Sequence, residues 1–150
     1  MTTATLSPSS AKVKFRLAGG AQPLILLPVE VNGEGPFEFI LDTGAGTSLF
    51  SSELGQKLDI KILGSKEGQS AGGAVSVSLA KASSVAVASA RLDSVGDARI
   101  HNSTVVVADF FAMLSKALGA KLDGIVGYNF LRNYKVALDY PNEMLSLFPP

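Results

Sequence analysis

Val13, Phe15 and Leu17 alternate with Lys14 and Arg16, the period-two pattern of a half-buried strand, and Gly19-Gly20 ends it. The polar, Ser/Thr-rich residues 1–11 before it read as a flexible tail. PLILLPVEV (23–31) is an apolar run of strand length, in which Pro28 predicts an edge position or a bulge. Asn32-Gly33 predicts a hairpin turn, extended by Gly35-Pro36, and PFEFIL (36–41) returns as the partner strand. SSELGQKLDI (51–60) opens on capping serines and spaces Leu54 and Leu58 as a short helix does. LGSKEGQSAGGA (63–74) has four glycines and no large apolar side chain after Leu63, so a mobile loop or hairpin tip is expected. VSVSLAKASSVAVASARL (75–92) alternates again, as strands in a sheet or a folded ribbon. Asn102-Ser103 precedes a strand at TVVVADF (104–110), with His101 at the turn before it. Phe111, Leu114, Leu118 and Leu122 predict a helix over 111–122. KVALDY and EMLSLF read as two closing strands around Pro141-Asn142. Period-two segments dominate, and the fold class they predict is mostly β with one or two short helices.

Composition narrows the function classes. A chain of 150 residues with 47% hydrophobic residues can bury the core of one domain. The net charge of zero gives no electrostatic footprint for nucleic acid or an anionic membrane. There is no cysteine and one histidine, so thiolate and multi-histidine metal sites within one chain are excluded and no metal or other cofactor is expected. No targeting signal and no run long enough for a membrane segment are visible, which leaves the compartment undetermined: cytoplasmic, or periplasmic or secreted if a signal has been removed. The final LFPP reads equally as a domain boundary or a terminus.

The chemistry concentrates in FEFILDTGAGTSLF (37–50). A carboxylate directly after Phe39, Ile40 and Leu41 places charge where the neighbours favour apolar surroundings, a local conflict of the kind that marks functional sites. Gly44 and Gly46 permit a tight turn and the close approach of a second backbone, and Thr43 and Thr47 offer hydroxyls across it.

This segment resembles the catalytic loop of retropepsin-like aspartic proteases. A second block, LDGIVGYNFLRNYKVALDYPNEMLSLF (122–148), strengthens the resemblance. Its Ile125-Val126-Gly127 is similar to the apolar-apolar-Gly element beneath that loop, and Asn129-Phe130-Leu131-Arg132 to the short helix behind it. The resemblance covers most of 24–148 and implies a closed, orthogonal β-barrel, a retropepsin-like domain over 12–150. It also implies aspartic endopeptidase activity on a peptide or protein substrate. Asp42, Thr43 and Gly44 take the catalytic positions; Ala45, Gly72, Gly73, Ile125, Val126 and Gly127 take the substrate-binding flap and floor. The Gly-rich segment 63–74 then stands where the family has its flap. Ala45 cannot donate a hydroxyl proton to the carboxylate, which implies a milder working pH than that of pepsin-like relatives with Ser or Thr there.

One Asp-Thr-Gly per chain leaves the acid–base pair incomplete. Asp123 is the internal rival, but it lacks the Thr and belongs to the second block. A symmetric homodimer supplies the pair more simply, with Asp42 from each copy across a two-fold axis. A catalytically silent dimerisation or peptide-binding module of the same fold is the alternative. A nucleotide site at GAGTS is disfavoured, because Leu49 stands where a third glycine belongs and no Lys follows.

Overall fold

The computed structural model describes residues 2–70, 73–87 and 95–150. Eleven strands form one sheet: β1 (Thr3–Lys14), β2 (Arg16–Ala18), β3 (Leu24–Val31), β4 (Glu34–Leu41), β5 (Leu49–Ser51), β6 (Lys61–Ser70), β7 (Gly73–Val87), β8 (Val95–Ala108), β9 (Gly124–Val126), β10 (Lys135–Asp139) and β11 (Met144–Phe148). Three short helices interrupt them: α1 (Ser52–Lys57), α2 (Phe111–Leu118) and α3 (Tyr128–Leu131). Six strands close on themselves in the order β3-β4-β9-β5-β8-β7, because β7 pairs both β8 and β3. Closure removes the free edges of those six strands. Two pairings are parallel, β4 with β9 and β5 with β8, and they lie side by side through β5 and β9.

Strand alternation explains the two cores. On β3 and β4, Leu27 pairs with Phe39 and both point into the barrel; Leu26 pairs with Ile40 and both point outward. The outward pair is nevertheless buried, since Phe111 of α2 packs over it together with Leu122 and Ile125. Burial on both faces is why 23–31 reads as a continuous apolar run and not an alternating one. Inside the barrel, Phe39 meets Phe50 edge to face, with ring centroids 5.7 Å apart.

Pro28 sits where β3 changes partner: Leu24–Leu26 pair with β2 and Val29–Val31 with β7, while Pro28 itself faces Glu38 of β4. Asn32 and Gly33 both take positive φ (52° and 79°), making the expected two-residue hairpin turn. Gly35-Pro36 lies inside β4 and is not part of the loop; the ladder absorbs the extra length in a register shift between Val29 and Val31. Ser51 caps α1, its hydroxyl accepting the Leu54 N–H at 2.9 Å, and the helix stops at Lys57, shorter than 51–60. α2 stops at Leu118 because Gly119 turns left-handed (φ 68°).

Two expectations are corrected. Residues 3–14 are not a flexible tail: Thr3–Ser7 pair with His101–Asp97 of β8, and Ala11–Lys14 pair with β11. Backbone ladders need no apolar side chains, so a Ser/Thr-rich strand leaves little hydrophobic signal; Ala11 and Val13 are buried. His101 is not at a turn either. β8 runs on through it, and Asn102 adopts φ 54° without shifting the β7–β8 register.

Tyr134, just past α3, ties these layers together. Its buried hydroxyl lies 3.0 Å from the Thr5 carbonyl and 3.1 Å from that of Arg99, linking it to β1 and β8. Burial, reinforced by the nearby Asp97 carboxylate, pushes the phenol up from 10.0 to about 12. A raised folded-state pKa favours the neutral form, so this contribution is intact below pH 10 and is lost as pH rises to about 12. Alkaline melts should therefore lose about 2 kcal/mol of stability over that interval. Tyr134→Phe should flatten this slope while costing stability at neutral pH. An unchanged alkaline slope in the variant would assign the transition to other groups.

Candidate active site

Leu41 is the last paired residue of β4, opposite Val126. The Asp42 N–H donates to the Val126 carbonyl at 3.0 Å, so the chain leaves the sheet at the aspartate. The Gly44 N–H then donates to Asp42 Oδ1 at 2.9 Å, and the Ala45 N–H to the Asp42 carbonyl at 3.2 Å. These two bonds close a turn on Asp42 and orient its carboxylate. Asp42, Thr43 and Gly44 are exposed, and Ala45 is half-buried. The apolar surroundings suggested by Phe39–Leu41 are therefore not supplied within one chain, because the aspartate steps out of the sheet just beyond them.

The loop is anchored from below by a network the sequence reading did not find. Ser48 is buried; its Oγ accepts the Gly127 N–H at 3.0 Å and donates to Asn129 Oδ1 at 2.8 Å. The Ser48 N–H donates to the same Oδ1 at 2.8 Å, and its carbonyl accepts the Val106 N–H at 3.1 Å. Asn129 Nδ2 reaches β8, donating to the Thr104 carbonyl at 3.1 Å and lying 3.4 Å from Ser103 Oγ. The Tyr128 N–H donates to the Ala45 carbonyl at 2.7 Å. Thr43 and Thr47 were the hydroxyls expected to bond across the turn, and neither side chain hydrogen-bonds within the described residues. A serine directly before an apolar strand, with an asparagine in the short helix that follows Ile125-Val126-Gly127, is the signal that points to the real pair.

Gly127 has no room for a side chain: a Cβ would stand 2.7 Å from the Ala45 carbonyl oxygen and 2.9 Å from that of Thr47. At Gly46 a Cβ would meet nothing within 4 Å, so no contact within the chain requires glycine there. The expected floor divides by strand alternation. Ile125 faces outward, whereas Val126 points into the barrel core and offers only its carbonyl; Gly127 lies buried beneath the loop. Val126 and Gly127 therefore support the aspartate from below and do not line an open surface.

Ile125 belongs to a cross-strand row of register partners: Leu79, Val106, Leu49, Ile125, Ile40 and Leu26. α2 covers its far end, while at the near end Leu79 is 49% exposed and Leu49 and Val106 are half-buried. Leu79 stands on the antiparallel ribbon of β6 and β7, which closes at Ser70 opposite Gly73. The Gly-rich segment is thus a hairpin. Gly73 begins β7, and Gly72 lies outside the described residues.

Asp123 sits at the other end of β9. Its Oδ2 accepts the Glu38 N–H at 3.1 Å, and its backbone bonds Glu38 and Ser51, a splice between β4 and β5. A cleft of about 310 Å³ between α1 and α2 is lined by Glu53, Asp109, Phe111 and Lys121 among others, and does not include Asp42.

The chain matches the aspartyl protease family over residues 27–130, a span holding both the Asp42 loop and the Gly127 element. The chain belongs to that family. Its fold is retropepsin-like: a retropepsin-like aspartic protease from Rickettsia conorii superposes with a TM-score of 0.55 at 18% identity, covering 90% of this chain and 99% of that one. The retroviral protease-like domain of Ddi1 from Leishmania major gives 0.49 at 14% identity over 85% and 94%. The EIAV protease complexed with the inhibitor HBY-793 gives 0.42 at 18% over 75% and 88%. No curated protein matches in sequence.

Asn129→Ala would leave the Ser48 N–H and hydroxyl and the Thr104 carbonyl without their partner. A buried polar group left unsatisfied costs roughly 1–3 kcal/mol, so a loss of about 2–3 kcal/mol in urea unfolding is expected. A loss below about 0.5 kcal/mol would mean that water replaces the carboxamide without consequence.

Proposed function

We propose that the chain is an aspartic endopeptidase whose active unit is a homodimer, each copy supplying one Asp42. The observation that carries this reading is a single family-type aspartate loop, fixed rigidly from below and open to solvent above. The carboxylate is oriented by Gly44 and anchored through Val126, yet within one chain it has no acidic partner in its own loop. Peptide hydrolysis without metal or covalent intermediate needs a base to activate water and an acid to protonate the carbonyl oxygen and the leaving amine. Two carboxylates at about 3 Å cannot both ionise cheaply, so they share one proton and fill both roles as a coupled pair.

In this reading the neutral, small residues around Asp42 let two loops meet across a two-fold axis. The unbonded Thr43 hydroxyl is free to bond the opposite loop, and Gly44 permits contact. The open row of Leu79, Val106 and Leu49 favours apolar substrate side chains. The β6–β7 ribbon, whose described ladder ends at Ser70 and Gly73, acts as the flap, pairing with the extended substrate backbone as a strand does.

Asp42→Asn is expected to reduce peptide hydrolysis by more than a thousandfold while leaving the melting curve in place, since the side chain is exposed. Cleavage of a peptide library read by mass spectrometry is the assay. Turnover in the variant near the wild-type rate would remove the assignment, and retained peptide affinity in a wild type without turnover would favour the binding-module alternative.

The flap role has its own readout. Amide hydrogen exchange over residues 64–73 should slow on saturation with a transition-state-like inhibitor, because glycine-rich backbone has large entropy to lose and new ladder bonds to the ligand protect it. Equal exchange with and without inhibitor would return this ribbon to an ordinary surface hairpin.

A further inference from the structure

The geometry points to Tyr128 as the aromatic anchor of the interface between two copies of this chain, set beside the loop that carries Asp42; the inference rests on the dimeric reading above. Tyr128 opens α3, and every neighbour in that turn is held inside the molecule. Gly127, Phe130 and Leu131 are buried, and Asn129 is bound to Ser48 and Thr104. Tyr128 alone turns outward, with 56% of its surface exposed. Its hydroxyl makes no hydrogen bond with any described residue. The ring belongs to neither core cluster, although its backbone is fastened to the Asp42 loop through the 2.7 Å bond to the Ala45 carbonyl.

Position singles out the occupant. Asp42 bonds the Val126 carbonyl, two residues before Tyr128, and Ala45 bonds Tyr128 itself. If two Asp42 carboxylates are to approach within about 3 Å, whatever flanks the loop on one copy must face the other. The surface around the aspartate suits a self-complementary contact. Thr43, Gly44, Ala45, Gly46 and Thr47 are small and uncharged, and space is open above Gly46, where a Cβ would meet nothing. A ring projecting beside a loop of small residues gives each copy a knob and a low surface that can receive its partner's. Tyrosine is suited to such a place: it offers a large rigid apolar area, and a hydroxyl that can bond at the rim.

The test uses the full chain as wild type, Tyr128→Ala and Tyr128→Phe, with self-association measured by sedimentation across a dilution series and hydrolysis measured on the same samples. Tyr128→Ala should raise the dimer dissociation constant at least tenfold, and activity should fall at correspondingly higher protein concentration. Tyr128→Phe should stay within threefold of wild type. Monomer melts of all three should coincide, because the ring is not part of the core. A covalently linked tandem carrying Tyr128→Ala in both halves should recover the activity of the linked wild type, which separates an assembly role from damage to the site. A wild-type dimer whose dissociation constant is unmoved by Tyr128→Ala overturns the anchor and leaves the dimeric reading standing. A wild type that hydrolyses peptides as a monomer, at a rate per chain independent of concentration, overturns the dimeric reading itself.

Discussion

One carboxamide organises the site. Asn129 bonds Ser48 at two atoms and Thr104 at a third, so the aspartate loop, the turn into α3 and the middle of β8 share a single polar centre. These three segments come from distant parts of the chain and have no covalent reason to meet. A polar centre buried at Ser48 and bonded on every side has few alternative arrangements, whereas an apolar contact can slide. Gly127 makes the fit possible, since its N–H reaches Ser48 Oγ and any side chain would strike the Ala45 carbonyl. The rigidity beneath Asp42 follows from these contacts and not from the exposed loop itself.

The barrel supplies the frame for that centre. β4 and β9 run parallel and side by side, so Leu41 and Val126 end at the same level and deliver Asp42 and Gly127 together. β5, antiparallel to β9, carries the chain away from the site and brings Ser48 back against Gly127 as it begins. The aspartate loop lies where the two parallel pairings adjoin, the place at which a β-structure leaves backbone groups that side chains must satisfy. α2 adds a second layer. By covering Ile40 and Ile125 it buries part of a row that strand alternation turns toward solvent, and the uncovered remainder lies on the β7 side.

Much of this was legible from residue types alone, and the reasons are local. Asn32-Gly33, Ser51 and Gly119 act through their own φ/ψ preferences or one nearby bond, so the hairpin, the helix start and the helix stop follow from single positions. Asp42-Thr43-Gly44 with Ile125-Val126-Gly127 carried the family and the fold. What escaped was non-local. The Ser48–Asn129 pair is two ordinary polar residues until folding brings them within 2.8 Å. Val126 and Ile125 look equivalent in sequence, and only the pleat sends one inward and the other outward. The strand at Thr3–Lys14 is held by ladder bonds to β8 and β11, which composition does not encode.

That first strand also governs the order in which the molecule can be assembled. β11 joins the rest of the sheet through β1, and β1 in turn lies against β8, so the β10–β11 hairpin is attached to the barrel by way of the opposite end of the chain. Ala11 faces Leu147, and Thr3 faces His101. The earliest strand in the sequence must wait for the latest before its ladder is complete, whereas the β3–β4 and β6–β7 hairpins can close as soon as they exist. Pairings so far apart in sequence carry a large loop-closure entropy and slow the search for the native topology. During synthesis residues 3–14 emerge ahead of both their partners, β8 and β11, and stay unpaired until those follow. The strand's weak hydrophobicity, which hid it from pattern reading, is also what makes that wait safe.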